Sequence, residues 1–170
     1  MKQRSIILIP QFRGIEMVEN IRDKYDPLAH KVNAHITLVF PFCSTYSTRE
    51  LELWLKKILK NVEPFEVELK GISMASNAFE NYLFLNIVRG REEIMQLNET
   101  LYDGLLREFK SDLPYIPHMT LGKLQNKEEL DAAYEEVKKL QNTFVARIDT
   151  VYIEEIDEDD SSIIEIAYNL

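Results

Sequence analysis

Two four-residue stretches carry the residue types most able to do chemistry. His35-Ile36-Thr37-Leu38 and His118-Met119-Thr120-Leu121 both read His, apolar, Thr, Leu, and they claim two of the three histidines in the chain. Imidazole titrates near neutrality, so a facing pair can take a proton from an attacking hydroxyl or water and give one to a leaving oxygen. In an extended strand, alternate side chains share a face. His35 and Thr37 would therefore point one way, about 7 Å apart, while Ile36 and Leu38 point into a core, and the second stretch behaves alike. Two such strands facing each other would line a cleft with two imidazoles and two hydroxyls. The threonine hydroxyls are donors suited to the non-bridging oxygens of a phosphate, where charge gathers in phosphoryl transfer. His35 and His118 are the candidate catalytic pair, and Thr37 and Thr120 the candidate phosphate binders.

The elements that must position these residues can be read from periodicity. Arg4 to Ile9 reads as a buried strand, and Ile15, Val18 and Ile21 fall at helical spacing before Asp26-Pro27. His35 to Phe42 is the first motif strand. Ser47 with Glu50 forms a capping box ahead of Leu51, Trp54, Leu55 and Ile58, an apolar stripe that predicts a helix. Phe65, Val67 and Leu69 alternate with charged residues as a half-solvated strand, and Tyr82 to Val88 makes another. A helix through Ile94, Leu97, Leu101 and Leu105 then leads by a proline-rich approach to the second motif strand, His118 to Leu124. Asn126 and Glu129 cap a helix with Leu130, Ala133, Tyr134 and Val137 on its apolar face, and strands Phe144 to Ile156 and Ile163 to Tyr168 close the chain. The order strand, helix, His strand, helix, strand, strand is thus expected twice, as in a duplication.

Composition bounds what such a molecule does. A chain of 170 residues, 45% hydrophobic and with only 5 Gly and 6 Pro, builds a core throughout and is expected to be a single domain, 1–170, made of two lobes. One cysteine, Cys43, forms no intrachain disulfide, and no apolar stretch is long enough for a signal core or a membrane span, so a cytoplasmic monomer is expected. The net charge of −9 is uneven: residues 1–85 hold 11 Lys+Arg against 10 Asp+Glu, and residues 86–170 hold 9 against 19. That balance argues against gripping long nucleic acid and favours a small nucleotide or an RNA end.

Each candidate has a plainer alternative. The motif histidines could be hydrogen-bonded core residues, but the repeated context weighs against that. A metal site is weaker, since each motif supplies one strong ligand with no Asp, Glu or Cys at ligand spacing, and no cofactor is implied. His30 reads as a solvated loop residue, and the run Glu154 to Asp160 as a solvated hairpin turn without calcium-loop spacing. Tyr115, Phe42, Phe79 and Tyr82 could stack a base but fit core positions better. Arg4 and Arg13 could assist a phosphate, whereas Lys123 has the wrong strand parity to point with His118 and Thr120.

With both motifs intact, His35 to Phe42 and Pro117 to Gly122, the whole chain resembles the 2H phosphoesterase superfamily, which includes 2′-5′ RNA ligase-like proteins and 2′,3′-cyclic nucleotide phosphodiesterases. The resemblance implies an α+β fold that is bilobal, a pseudo-twofold duplicated unit with interleaved lobes, an antiparallel sheet in each lobe, helices outside and a central cleft that needs no metal. It implies that His35 and His118 are the acid/base pair and that Thr37 and Thr120 bind phosphate. The implied activity is opening of a 2′,3′-cyclic phosphate on a nucleotide or RNA end, with 2′-5′ ligation as the reverse reaction. A non-catalytic module holding a nucleotide or RNA end in the same cleft is the alternative.

Overall fold

The computed structural model describes residues 1–77 and 80–170. Its elements in chain order are β1 (Lys2–Leu8), α1 (Ile15–Tyr25), β2 (Ile36–Ser44), α2 (Thr48–Ile58), β3 (Phe65–Ser76), β4 (Asn81–Arg89), α3 (Arg91–Tyr102), β5 (His118–Leu124), α4 (Lys127–Val137), β6 (Thr143–Ile148), β7 (Thr150–Ile156) and β8 (Ser162–Asn169). Local chemistry sets several boundaries. The Ser47–Glu50 capping box opens α2 with both of its reciprocal bonds, and the Asn126 side chain accepts from the Glu129 amide to open α4. Helix α3 starts from Gly90, whose φ of 80° and close approach to the Glu66 carbonyl leave no room for a Cβ. It stops at Tyr102 and not at Leu105, because Asp103 turns extended and Gly104 takes φ 97°.

The strands form one antiparallel sheet in the order β6-β3-β4-β5-β2-β1-β7-β8. It divides into two four-stranded halves, β6-β3-β4-β5 and β2-β1-β7-β8, which among the described residues are joined across the sheet by the backbone pair Ile36 and Met119. The motif strands β2 and β5 are thus the two central strands. One face of the sheet packs under the helices, with Ile6, Leu8, Ile36, Leu38, Leu83, Leu85, Met119, Leu121, Val151 and Ile153 buried there among Val18, Leu51, Leu55, Leu97 and Leu130.

Two sequence expectations need correction. The stretch Phe144 to Ile156 is two strands, broken at Asp149, because β6 pairs with β3 while β7 pairs with β1 and β8. The duplication also has a different phase: among the described residues the second half has no strand of its own ahead of α3, and β4 flanks β5 as β1 flanks β2. The lobes exchange chain, since β3 from the first half lies beside β6 and β7 and β8 from the second half lie beside β1. The acidic run is only partly the expected solvated turn: Asp157 to Asp160 join β7 to β8, whereas Glu154 and Glu155 lie in β7, and Glu154 is buried and accepts from the Ser5 hydroxyl.

Candidate active site

The pairing of Ile36 with Met119 sets the geometry of the motifs. Partners in an antiparallel pair point to the same face, here into the core, so the flanking residues point to the other face. Continuing the register by one residue each way sets His35 across from Thr120 and Thr37 across from His118. The four side chains form a quartet around the sheet's local twofold axis, and all four are half-buried while Ile36, Leu38, Met119 and Leu121 are buried. His35 lies one residue ahead of β2, at its mouth.

Both rings are held the same way. The His35 Nδ1 lies 2.8 Å from the Asn33 carbonyl and the His118 Nδ1 lies 2.7 Å from the Ile116 carbonyl. A carbonyl oxygen only accepts, so each Nδ1 carries a proton and donates it. Each Nε2 is therefore a bare acceptor in the neutral ring and an N–H donor in the charged one. Burial pushes the pKa of His35 below its ordinary value, against the Asn33 bond and the charge of Glu154, which favour the protonated ring. Burial lowers His118 too, the Ile116 bond opposes it, and the charge of His35 lowers it further. The rings sense each other, so one proton between them is favoured over two.

The carbonyls that hold the rings are themselves built in. Arg22 of α1, buried, bonds Glu19 and Asp26 and donates to the Val32 carbonyl at 2.8 Å, while Glu19 accepts from the Ala34 amide, fixing the loop that presents Asn33. On the other side the Tyr115 hydroxyl donates to the Thr37 carbonyl at 2.7 Å, tying the approach to His118 onto the opposite motif strand. Burial raises the Tyr115 pKa, which keeps the phenol a donor. Beyond the Ile36–Met119 pair the free edge of β2 is closed by side chains: Asn98 donates to the Leu38 carbonyl and the Tyr102 hydroxyl accepts from the Phe40 amide. On the other edge, Gly122 admits α1, since a Cβ there would stand 2.8 Å from the Tyr25 Cβ.

Each motif strand carries a β-bulge at its leucine. Thr37 pairs with Ile7 and Val39 with Ile6, leaving Leu38 unmatched, and Thr120 pairs with Phe84 and Gly122 with Leu83, leaving Leu121 unmatched. The second bulge overturns the parity argument for Lys123. After the extra residue, Lys123 pairs with Tyr82, and its ammonium lies over the Tyr82 ring, 5.4 Å from the centroid. Tyr82 stacks on Phe84 (5.6 Å, 17°), and Phe84 lies against the His118 ring at 3.8 Å. Lys123 is therefore at the end of a row that starts at the second histidine.

The other candidates divide. Arg4 is buried and bound to Glu165 at 2.5 Å on the helix side of the sheet, away from the motif face. Arg13 is exposed in the loop between β1 and α1. His30 is exposed, 3.6 Å from Asp23, as a loop residue. Phe42 is core, packed on Phe109, and Phe79 lies outside the described residues. Among the described residues no three His, Cys, Asp or Glu side chains gather as metal ligands, and no helix is long and apolar enough to cross a membrane. Sequence reasoning missed Phe84, the two ring-holding carbonyls and Arg22. The alternation of Tyr82, Phe84 and Asn86 with Leu83, Leu85 and Ile87 was a signal for Phe84, but only the strand order reveals which strand it faces.

The comparison that decides the family is a match of residues 10–160 to the model of the 2′-5′ RNA ligase superfamily. The chain belongs to that superfamily. A Bacillus pumilus protein provisionally named a phosphoesterase is 32% identical over 129 residues, covering 75% of this chain and 74% of its own. The RNA 2′,3′-cyclic phosphodiesterase of Methanothermobacter thermautotrophicus is 25% identical over 158 residues, 85% of this chain and 84% of its own. Among solved structures, Escherichia coli LigT with 3′-AMP matches 99% of this chain and 98% of its own at TM-score 0.66 and 15% identity, which establishes the shared superfamily fold. The fold class expected from the motifs, α+β with paired lobes and outer helices, is the one observed.

Proposed function

We propose that this chain is a metal-independent phosphodiesterase that opens a 2′,3′-cyclic phosphate on a nucleotide or RNA end by two-histidine acid/base catalysis. The observation that carries the reading is the quartet around Ile36 and Met119, with both Nδ1 atoms bound to carbonyls and both Nε2 atoms left for the substrate. The phosphate sits between the rings, with its non-bridging oxygens accepting from the Thr37 and Thr120 hydroxyls. One neutral ring takes a proton from water at Nε2 as the water oxygen bonds to phosphorus. The bond from phosphorus to one ribose oxygen breaks, and that oxygen takes the proton from Nε2 of the other, charged ring. The product is a phosphomonoester, and solvent exchange returns the proton to its first ring. With a 5′-hydroxyl end in place of water as the nucleophile, the same step leaves a 2′-5′ linkage, the ligation that the superfamily is named for.

The test is a screen of 2′,3′-cyclic mononucleotides, cyclic-ended oligonucleotides and ADP-ribose cyclic phosphate with a chelator present. Turnover to a monoester that persists in chelator and is lost in His35→Ala supports the reading. Binding of nucleotide products with no turnover of any cyclic substrate would mean a binding module, and activity restored only by added zinc or magnesium would overturn the metal-independent mechanism.

A further inference from the structure

Lys123 lies on the motif face only because of the bulge at Leu121. From His118 the row runs to Phe84, then Tyr82, then the Lys123 ammonium, through contacts of 3.8, 5.6 and 5.4 Å in succession. Lys123 lies five positions beyond His118 along the strand, at most about 17 Å at 3.3 Å per residue. A phosphate bound between the histidines is out of reach of that ammonium. The next phosphate along a chain, leading away over the Phe84 and Tyr82 rings, is within its reach.

The surroundings keep the lysine charged and aimed. The Tyr82 hydroxyl donates to Glu80, and Glu80 lies 3.8 Å from the Lys123 ammonium, whose side chain is 48% exposed. Tyr82 and Glu80 hold the Lys123 pKa above its ordinary value. A 3.8 Å pair in solvent is weak, so a phosphate competes with Glu80 for the cation at little cost. The matching position on the other motif strand is Phe40, an exposed apolar residue, so the cation marks one end of the site only.

We propose that Lys123 holds the second phosphate of the substrate, one nucleotide from the phosphate that reacts, so that the site takes an oligonucleotide end in preference to a cyclic mononucleotide. This rests on the phosphoesterase reading for the chemistry at the histidines, but binding tests it separately. The experiment titrates the native chain and variants with 3′-AMP and with the dinucleotide ApA carrying a 3′-phosphate, at 50 to 300 mM salt, and measures turnover of the two corresponding 2′,3′-cyclic compounds.

Lys123→Gln is expected to lower the dinucleotide-to-mononucleotide affinity ratio about fivefold and to flatten the dinucleotide salt slope by about 0.7, the loss of one phosphate contact on a single strand. Glu80→Gln, which frees the cation, raises the ratio about twofold. Lys57→Gln, on exposed α2, leaves the ratio at its native value and controls for net charge. A ratio unmoved by Lys123→Gln, or equal weakening of both ligands, overturns the inference, the second outcome meaning that the lysine only braces Tyr82. If the native chain turns over neither cyclic compound while the ratio responds, the phosphodiesterase reading fails and the second-phosphate site stands. Turnover with an unresponsive ratio is the reverse.

Discussion

The strand that carries His35 and the strand that carries His118 run through the same sequence of environments. From each histidine the residues alternate half-buried and buried to the threonine, then come two buried residues around a bulge at the leucine, then an exposed one. Both rings donate to the carbonyl two residues before them. Their neighbours differ. Opposite Thr37 stands Ile7, fully buried, and opposite Thr120 stands Phe84, half-exposed against His118. That exposed residue is Phe40 on one strand and Lys123 on the other. What the two copies share is a ring held by its Nδ1, and what separates them is what lies beside it, so a phosphate held between the rings as proposed would meet a different surface on each side.

The largest effect should test the sameness. His35→Ala and His118→Ala are each expected to lower kcat/KM by at least ~100-fold with the fold intact by circular dichroism, because each removes one proton-transfer partner. The double variant should be little worse than either single one. A variant that keeps full rate would break the equivalence of the copies.

A second test goes to stability, where the lobes differ most. Arg4 on β1 is 1% exposed and bound to Glu165 and Ser44, while Asn81 on β4, in the matching place, is bound by Ser76. Burial pushes Glu165 up, but the Arg4 and Lys2 hydrogen bonds outweigh it and hold its pKa at about 2. Glu165→Gln should cost about 2–4 kcal/mol in chemical denaturation, since it leaves a buried guanidinium without its carboxylate. Because the folded pKa is depressed, this stabilisation is present above the usual 4.5 and is lost as pH falls from there toward 2. Native and variant stabilities should therefore converge at low pH, and curves that stay parallel would refute the pair's role.

Thr37→Ala and Thr120→Ala come next, each expected to reduce kcat/KM about 10-fold, less than a histidine, because solvent can replace one donor to a phosphate oxygen. Unequal losses would show which side of the phosphate gathers more charge.

The smallest effect sharpens the difference. Burial lowers the His118 pKa, and Phe84 packs its ring. Phe84→Ala lets water in and should raise the His118 pKa toward its ordinary 6.5, read from its imidazole proton shifts, while His35 moves little. The native pH profile of kcat/KM should be a bell whose acid limb lies below 6.5, and in the variant the limb set by His118 should move up. A limb that does not move would mean that the ring does not set the titration.

Much of this was legible in the chain, and the reason is periodicity. The motif strands, the capped α2 and α4, and the acidic turn follow from side-chain alternation, an i, i+3, i+4 stripe and cap residues, which are local properties. The bulges at Leu38 and Leu121 were not, because a bulge is a mismatch between two strands and leaves no mark on either alone. That is why Lys123 was assigned to the wrong face. The break at Asp149 was hidden for a similar reason: Phe144 to Ile156 is extended throughout, and only its change of partners divides it. The ring-holding carbonyls belong to the backbone and have no residue signature.

The break at Asp149 reaches further than the strand count. Strands β6 and β7 are first and seventh across the sheet, yet one residue separates them in the chain. Consecutive Cα atoms lie about 3.8 Å apart, so Ile148 and Thr150 stand within about 7.6 Å of each other, and the far margins of the sheet must come round to meet. The terminal Leu170 amide donates to the Asp149 carbonyl and fastens the β8 margin at the same spot. A ribbon clasped in this way has no loose end from which to unroll. The two halves whose inner strands carry the histidine motifs are therefore tied together twice, once through the Ile36–Met119 pair and once through Asp149.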